Sequence, residues 1–111
     1  MKRRRRRRKG SWLEDHVAKR YRRAGFKILK HVIGKAGERD IVAIRGRKKY
    51  VIEVKSGFQR ISSREIVKLV RKAREERGIP VLRLGPNVSL TTPARKLARK
   101  YGVRVRRITW I

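Results

Sequence analysis

The chain has 111 residues, 36 of them Lys or Arg and 8 Asp or Glu, for a formal charge of +28. That length suits one domain; the 39% apolar fraction supports a modest core, and the 40% charged fraction is far above the roughly 25% of an average domain. No apolar run approaches the ~20 residues of a membrane span, no apolar segment follows the basic N-terminus as a secretory signal requires, and the absence of Cys excludes disulfide scaffolds and thiolate metal sites.

Two His and no Cys also make a structural zinc site an unexpected feature. A cytoplasmic, nucleoid-associated protein is therefore expected. One Asn and one Gln in a charge-rich chain fit a thermophile. A self-repelling chain of this charge gains from a polyanionic partner. Nucleic acid comes first, because phosphate neutralisation supplies affinity without sequence preference. DNA is the expected form, with RNA left open. A membrane is not expected, since no basic amphipathic segment carries a bulky apolar face.

Residues 1 to 10 stand apart as a basic arm. Lys2 to Lys9 is unbroken and contains Arg3, Arg4, Arg5, Arg6, Arg7 and Arg8 in succession. Such a run self-repels and is expected to be disordered when free. Removing its eight charges leaves +20 on residues 10 to 111, so the remainder is basic as well. Residues 11 to 111 are expected to form a single domain.

In that domain Ser11-Trp12-Leu13-Glu14 fits a capping box, with Ser11 as N-cap. Leu13, Val17, Tyr21 and Ala24 follow at helical spacing, and Gly25 stops the helix. Phe26 to Ile33 reads as a strand, Gly34 and Gly37 bracket a turn, and Ile41 to Ile44 is a second strand. Arg45 to Lys48 turns tightly into a third, Tyr50 to Lys55. Ser62-Ser63-Arg64-Glu65 is another capping box; it opens a helix with the stripe Ile66, Leu69, Val70 and Ala73, ended by Gly78. Pro80 to Leu84 is a short strand. Thr92-Pro93 starts a third helix, with Thr92 as N-cap and Gly102 as stop. Val103 to Trp110 is the last strand. The expected order is αβββαβαβ.

Three of the eight acids fall where a site needs them. Period-two alternation puts Asp40, Val42 and Ile44 on one face of the second strand, and Val51, Glu53 and Lys55 on one face of the third. Both strands are apolar on both faces near the turn, which predicts central strands covered on each side. A turn centred on Gly46 and Arg47 pairs Asp40 with Glu53, Cβ atoms about 5 Å apart. Two facing carboxylates repel unless a cation lies between them, and Mg²⁺ takes carboxylate oxygens. Glu14 lies at the edge of the apolar face of the first helix.

Asp40, then twelve residues, then Glu53-Val54-Lys55 resembles the D…ExK signature of the restriction-endonuclease-like nucleases. The order αβββαβ and a first helix carrying Glu14 are also similar to that family's core. The closest resemblance is to archaeal Holliday-junction resolvases and small Mrr-like nucleases. It covers about residues 11 to 84; the remainder matches as an added αβ unit. Arg39 stands where the family often has Pro, and a Gln-x-x-x-Tyr element of some relatives is absent after Gln59.

The resemblance implies a mixed sheet flanked by helices and a metal-dependent endonuclease acting on structured DNA such as Holliday junctions. Asp40 and Glu53 would bind Mg²⁺ or Mn²⁺ with the carbonyl of Val54. Glu14 would complete the shell directly or through water, and Lys55 would orient the attacking water or neutralise developing charge. A homodimer is implied for a two-strand substrate, with Trp110, Ile111 and Phe58 as contact candidates.

Other readings stay open. Glu14 has a purely capping role available. Asp40 and Glu53 have Lys55 and neighbouring Arg as salt-bridge partners without any metal. Arg64, Lys68, Arg71, Lys72 and Arg74 form either a solvated helix face or a phosphate-contacting one. His16, His31, Glu38 and Asp15 read as surface residues. Gly34 and Gly37 are no phosphate loop, since no helix follows. A non-catalytic nucleic-acid-binding component of a ribonucleoprotein, ribosome-associated and binding RNA through fold and arm, is the alternative function.

Overall fold

A computed structural model describes residues 11–109. The basic arm, Trp110 and Ile111 lie outside the described residues, as does the side chain of Ser11 proposed as a cap. The elements are α1 (Ser11–Arg23), β1 (Lys27–Gly34), β2 (Gly37–Arg45), β3 (Lys48–Lys55), β4 (Gln59–Ile61), α2 (Ser63–Glu76), β5 (Ile79–Leu84), β6 (Val88–Leu90), α3 (Thr92–Lys100) and β7 (Arg104–Arg107). Among them no helix is long and apolar enough to cross a membrane.

One five-stranded sheet has the order β1-β2-β3-β5-β7. β1, β2 and β3 are antiparallel; β3, β5 and β7 run parallel. This is the expected mixed sheet, with β2 and β3 interior. α1 covers one face through Leu13, Val17 and Ala18, packed on Ile41, Ala43, Ile52 and Val54. α2 and α3 cover the other, where Ile66, Leu69, Val70 and Ala73 meet Val51, Leu82 and Leu84. β2 and β3 thus bury both faces, which accounts for their apolar runs, whereas the edge strand β1 alternates between exposed and half-buried residues.

Four local expectations change. Ala24 is exposed and Ala18 takes its place in the core, because the helix ends at Arg23 before Ala24 can turn inward. Thr91, not Thr92, caps α3: its hydroxyl accepts the Ala94 N–H at 3.2 Å, and Pro93 sits where a helix needs no N–H. The last strand is shorter than expected, ending at Arg107. β4 and β6 were not anticipated; they pair in parallel as a separate two-stranded sheet. Three residues each carry too little alternation to register as strands. The α2 capping box is present: the Glu65 carboxylate accepts the Ser62 N–H at 2.8 Å and the Ser62 hydroxyl at 3.2 Å.

The tip of the β1–β2 hairpin is tied to α2 by Arg39, which is 1% exposed. Its guanidinium donates to Gly37 O at 2.6 Å and pairs with Glu75. Its Nε is 3.1 Å from Glu76 but off the hydrogen-bonding angle, so that contact is charge attraction alone. Gly34 leaves the space this guanidinium fills: a Cβ there would collide with Arg39 Nη1. Gly34→Ala is expected to displace a pinned, buried cation and cost about 1–3 kcal/mol. Thermal unfolding checks this, and a melting point equal to the parent's would show that Arg39 relaxes freely.

Candidate active site

Ladder pairs between β2 and β3 run from Arg45↔Lys48 to Ile41↔Ile52. The next position in this register brings Asp40 opposite Glu53, but there the regular ladder stops. Asp40 instead turns its Oδ2 to accept the Val54 N–H at 3.0 Å. The carboxylate therefore substitutes for a strand carbonyl and is held at the end of β2 beside β3.

α2 runs antiparallel to β3 over the same face, and charge complementarity aligns them. Glu65, Leu69, Lys72 and Glu76 follow at helical i, i+4, i+7 and i+11 spacing. The three charged ones meet residues on one face of β3: Lys55 Nζ is 3.3 Å from Glu65, Lys72 Nζ is 3.4 Å from Glu53, and Lys49 Nζ is 3.5 Å from Glu76. Eleven helical residues advance about 16 Å and six strand residues about 20 Å, so the two rows stay nearly in step. Lys55 lies on the Glu53 face as expected. Lys72, expected on a phosphate-contacting surface, is turned inward with only 12% of its side chain exposed. Lys68 and Arg71 are exposed on the outer side of the same helix.

On the far side of Asp40 stands His31. The β1–β2 ladder runs from Gly34↔Gly37 to Lys27↔Ile44 but skips the position at which His31 faces Asp40. His31 occupies the left-handed region at φ 54, unusual for a residue with a side chain. Its ring lies between two acids, Nδ1 at 2.6 Å from Glu38 and Nε2 at 3.4 Å from Glu14. Glu14 thus reaches the site from α1 through His31. His31 and Glu38, read from sequence as surface residues, belong to the same cluster. The signal was present: the Gly34–Gly37 turn sets His31 opposite Asp40 by the same register arithmetic that pairs Asp40 with Glu53.

Burial pushes the Asp40 carboxyl above its ordinary value, against the opposing pull of the Val54 N–H, Lys55 and Lys72. Glu53 is raised by burial and then by the charge of Asp40, with Lys72 and Lys55 opposing. At Glu65 burial also acts upward, but the Ser62 N–H and Lys55 prevail and its carboxyl is lowered. Acids whose folded pKa is raised favour the folded state below their unfolded pKa, and that contribution is lost as pH rises through the folded value. The metal-free protein is therefore expected to lose stability from this pair as pH climbs toward neutrality. Asp40→Asn, which keeps an acceptor for Val54, should raise the melting point at neutral pH and flatten its pH dependence. Thermal melts in EDTA from roughly pH 4 to pH 8 test this; parallel curves for parent and variant would contradict it.

Two half-buried, mutually repelling carboxylates of hard oxygen character fit a divalent cation. Among the described residues no three His, Asp or Glu side chains converge closely enough to hold one unaided. A cation at Asp40 and Glu53 would thus rely on backbone, water or substrate oxygens for its remaining ligands, as Mg²⁺ commonly does.

A five-stranded mixed sheet flanked by helices is the restriction-endonuclease-like fold. The chain belongs to the archaeal Holliday junction resolvase (hjc) family, whose model matches residues 5–106. Among solved structures it is similar to the EndoMS–dsDNA2 complex, with a TM-score of 0.66 and 23% identity over 97% of this chain and 48% of that one. It is also similar to AF1548, a protein of unknown function (0.65, 21%, covering 90% and 59%). A third is Pyrococcus furiosus SfsA in complex with Ca²⁺ (0.57, 19%, covering 87% and 56%). These likenesses show the fold, and the chain spans about half the length of the structures it matches. No curated protein sequence matches it.

Proposed function

We propose that the protein is a divalent-metal-dependent endonuclease that hydrolyses phosphodiester bonds in structured DNA, four-way junctions first among them. The observation that carries this reading is the half-buried Asp40–Glu53 pair beside Lys55, on a chain of net charge +28 in a resolvase family. Asp40, Glu53 and the Val54 carbonyl would hold Mg²⁺ or Mn²⁺, with Glu14 reaching it through water. Bound there, the cation would supply a Lewis acid that acidifies a water and balances charge on the phosphate. Asp40 is oriented for this by the Val54 N–H. Lys55, held in place by Glu65, directs its ammonium toward the same face and would neutralise charge developing on the phosphate oxygens. Lys72 keeps the carboxylates partly compensated before the cation arrives. Lys68, Arg71 and the arginines of the arm would contact phosphates.

Two copies would be required to nick both strands of a junction symmetrically. Phe58, 89% exposed in the loop after β3, is the described candidate for such a contact. Incubation with a synthetic four-way junction, a matched linear duplex and a matched RNA duplex tests the proposal. Metal-dependent paired nicks in the junction support it; intact junction under conditions where it is bound defeats it.

One observation favours a second reading. Glu53 is already paired with Lys72 and Lys55 with Glu65, so much of the site's charge is balanced without a metal. That suits a non-catalytic nucleic-acid-binding component of a ribonucleoprotein. Stoichiometric co-purification with ribosomal particles at moderate salt, together with an intact junction in the assay above, would select it.

A further inference from the structure

α1 lies chiefly over β1, β2 and β3. Past its last turn the same sheet face opens into a cavity of about 400 Å³. Its aromatic wall is Tyr21, Phe26 and Tyr50, packed edge-on or tilted with ring centroids 5.5 to 6.3 Å apart. Its basic wall is Arg45 with Arg83, Arg104 and Arg106 of β5 and β7. Register explains the convergence: Arg83 pairs with Arg106 and Val81 with Arg104 across the parallel ladder, so all three arginines share this face. Arg45, Arg83 and Arg104 lie over Phe26, Tyr21 and Tyr50 at 4.7, 5.5 and 5.4 Å from the ring centroids.

Among the described residues no Asp or Glu lines this cavity. Arg83 Nε is buried there without a hydrogen-bond partner. Packing several guanidinium groups together costs repulsion, and a buried unsatisfied N–H adds a desolvation penalty. An anion with several acceptor oxygens relieves both. Phosphate is the anion that guanidinium forks match. The rings and stacked guanidinium planes beside it offer surfaces on which an unpaired base stacks. Ligand cavities of this general size hold a single small molecule, so one nucleotide fits.

We propose that this cavity binds one unpaired nucleotide of a single strand, its phosphate among Arg83, Arg104 and Arg106 and its base against the Tyr21–Phe26–Tyr50 wall. The site is separate from the carboxylates. Tyr50 and Glu53 lie three residues apart on β3 and face opposite sides of the sheet. A nucleotide in the cavity therefore does not occupy the site at Asp40 and Glu53. The proposal stands or falls on binding and does not require the nuclease reading.

The test uses the full chain in EDTA with a short single-stranded oligonucleotide carrying 5-iodouracil, which photocrosslinks to stacked aromatic side chains. Peptide mapping should place the crosslinks at Tyr21, Phe26 or Tyr50. A nucleoside monophosphate should suppress them at concentrations where inorganic phosphate does not. The Arg83→Gln, Arg104→Gln double variant should bind the single strand on the order of tenfold more weakly than a charge-matched Arg22→Gln, Lys96→Gln control. Unchanged melting points for both would show that the fold is kept; if the cavity variant unfolds early, the crosslink map of the parent protein decides alone. Crosslinks confined to other residues, equal weakening by cavity and control substitutions, or equal suppression by inorganic phosphate would each overturn the proposal.

Discussion

Replacing Asp40 by Asn or Glu53 by Gln is expected to lower metal-dependent cleavage of a four-way junction by at least about a hundredfold while leaving junction binding within a small factor of the parent. Each change keeps the side chain's shape and some hydrogen-bonding capacity but removes half of the negative charge available to a cation. Binding survives because two charges of this kind matter little against 36 basic residues. The stability readout runs in the opposite direction. Burial and mutual repulsion already push both carboxyls upward, so each neutral variant relieves a strain on the metal-free fold. Lost cleavage with an unchanged or raised melting point is the combination expected of a site that trades stability for function. Cleavage that persists in either variant would remove Asp40 and Glu53 from the reaction. Lost cleavage with a lowered melting point would point to a structural role for the acids instead.

Deleting residues 2 to 9 should change affinity more than any single substitution. The segment carries eight of the chain's positive charges. Each phosphate neutralised on duplex DNA contributes about 0.9 to the slope of log K against log salt. Full engagement of the arm would account for about 7 units of slope. Over a fourfold rise in salt that is a loss on the order of ten-thousandfold. The truncated protein should therefore bind more weakly at low salt and respond far less to added salt. Its turnover at saturating junction should be kept, since the proposed catalytic groups all lie on α1, β2 and β3. An unchanged slope would place the arm away from nucleic acid altogether. The same pair of titrations, repeated with single-stranded DNA, also shows how much of the affinity for unpaired strands belongs to the body of the protein.

Asp40 and Glu53 were legible from the sequence because two local rules meet there. Strand alternation assigned the faces, and the Gly46–Arg47 turn set the register that the β2–β3 ladder shows. The α2 stripe was legible for the same reason: Ile66, Leu69, Val70 and Ala73 repeat at helical spacing and are all buried. The Ser62–Glu65 capping box and the glycine stops act over a few residues, so they too could be read along the chain. His31 was within reach of the same register argument, applied to the Gly34–Gly37 turn, but its left-handed backbone breaks the alternation that would have given its face.

Only the tertiary structure decided which charges meet. In a chain with 36 cations and eight acids, nearly every acid has several possible partners, and composition cannot choose among them. The choice of Lys72 for Glu53, Glu65 for Lys55, and Glu75 and Glu76 for Arg39 depends on α2 lying antiparallel along β3. That placement follows from burying the α2 stripe, a non-local event with no signature in either element alone. The arginine-lined cavity has the same origin. Arg83, Arg104 and Arg106 are separated in sequence from Tyr21 and Phe26, and they converge only because β5 and β7 pair in parallel beside the end of α1. Local periodicity determined the elements and the acid pair. Packing between distant elements determined the electrostatic partners and the second surface, because those energies exist only once the layers are assembled.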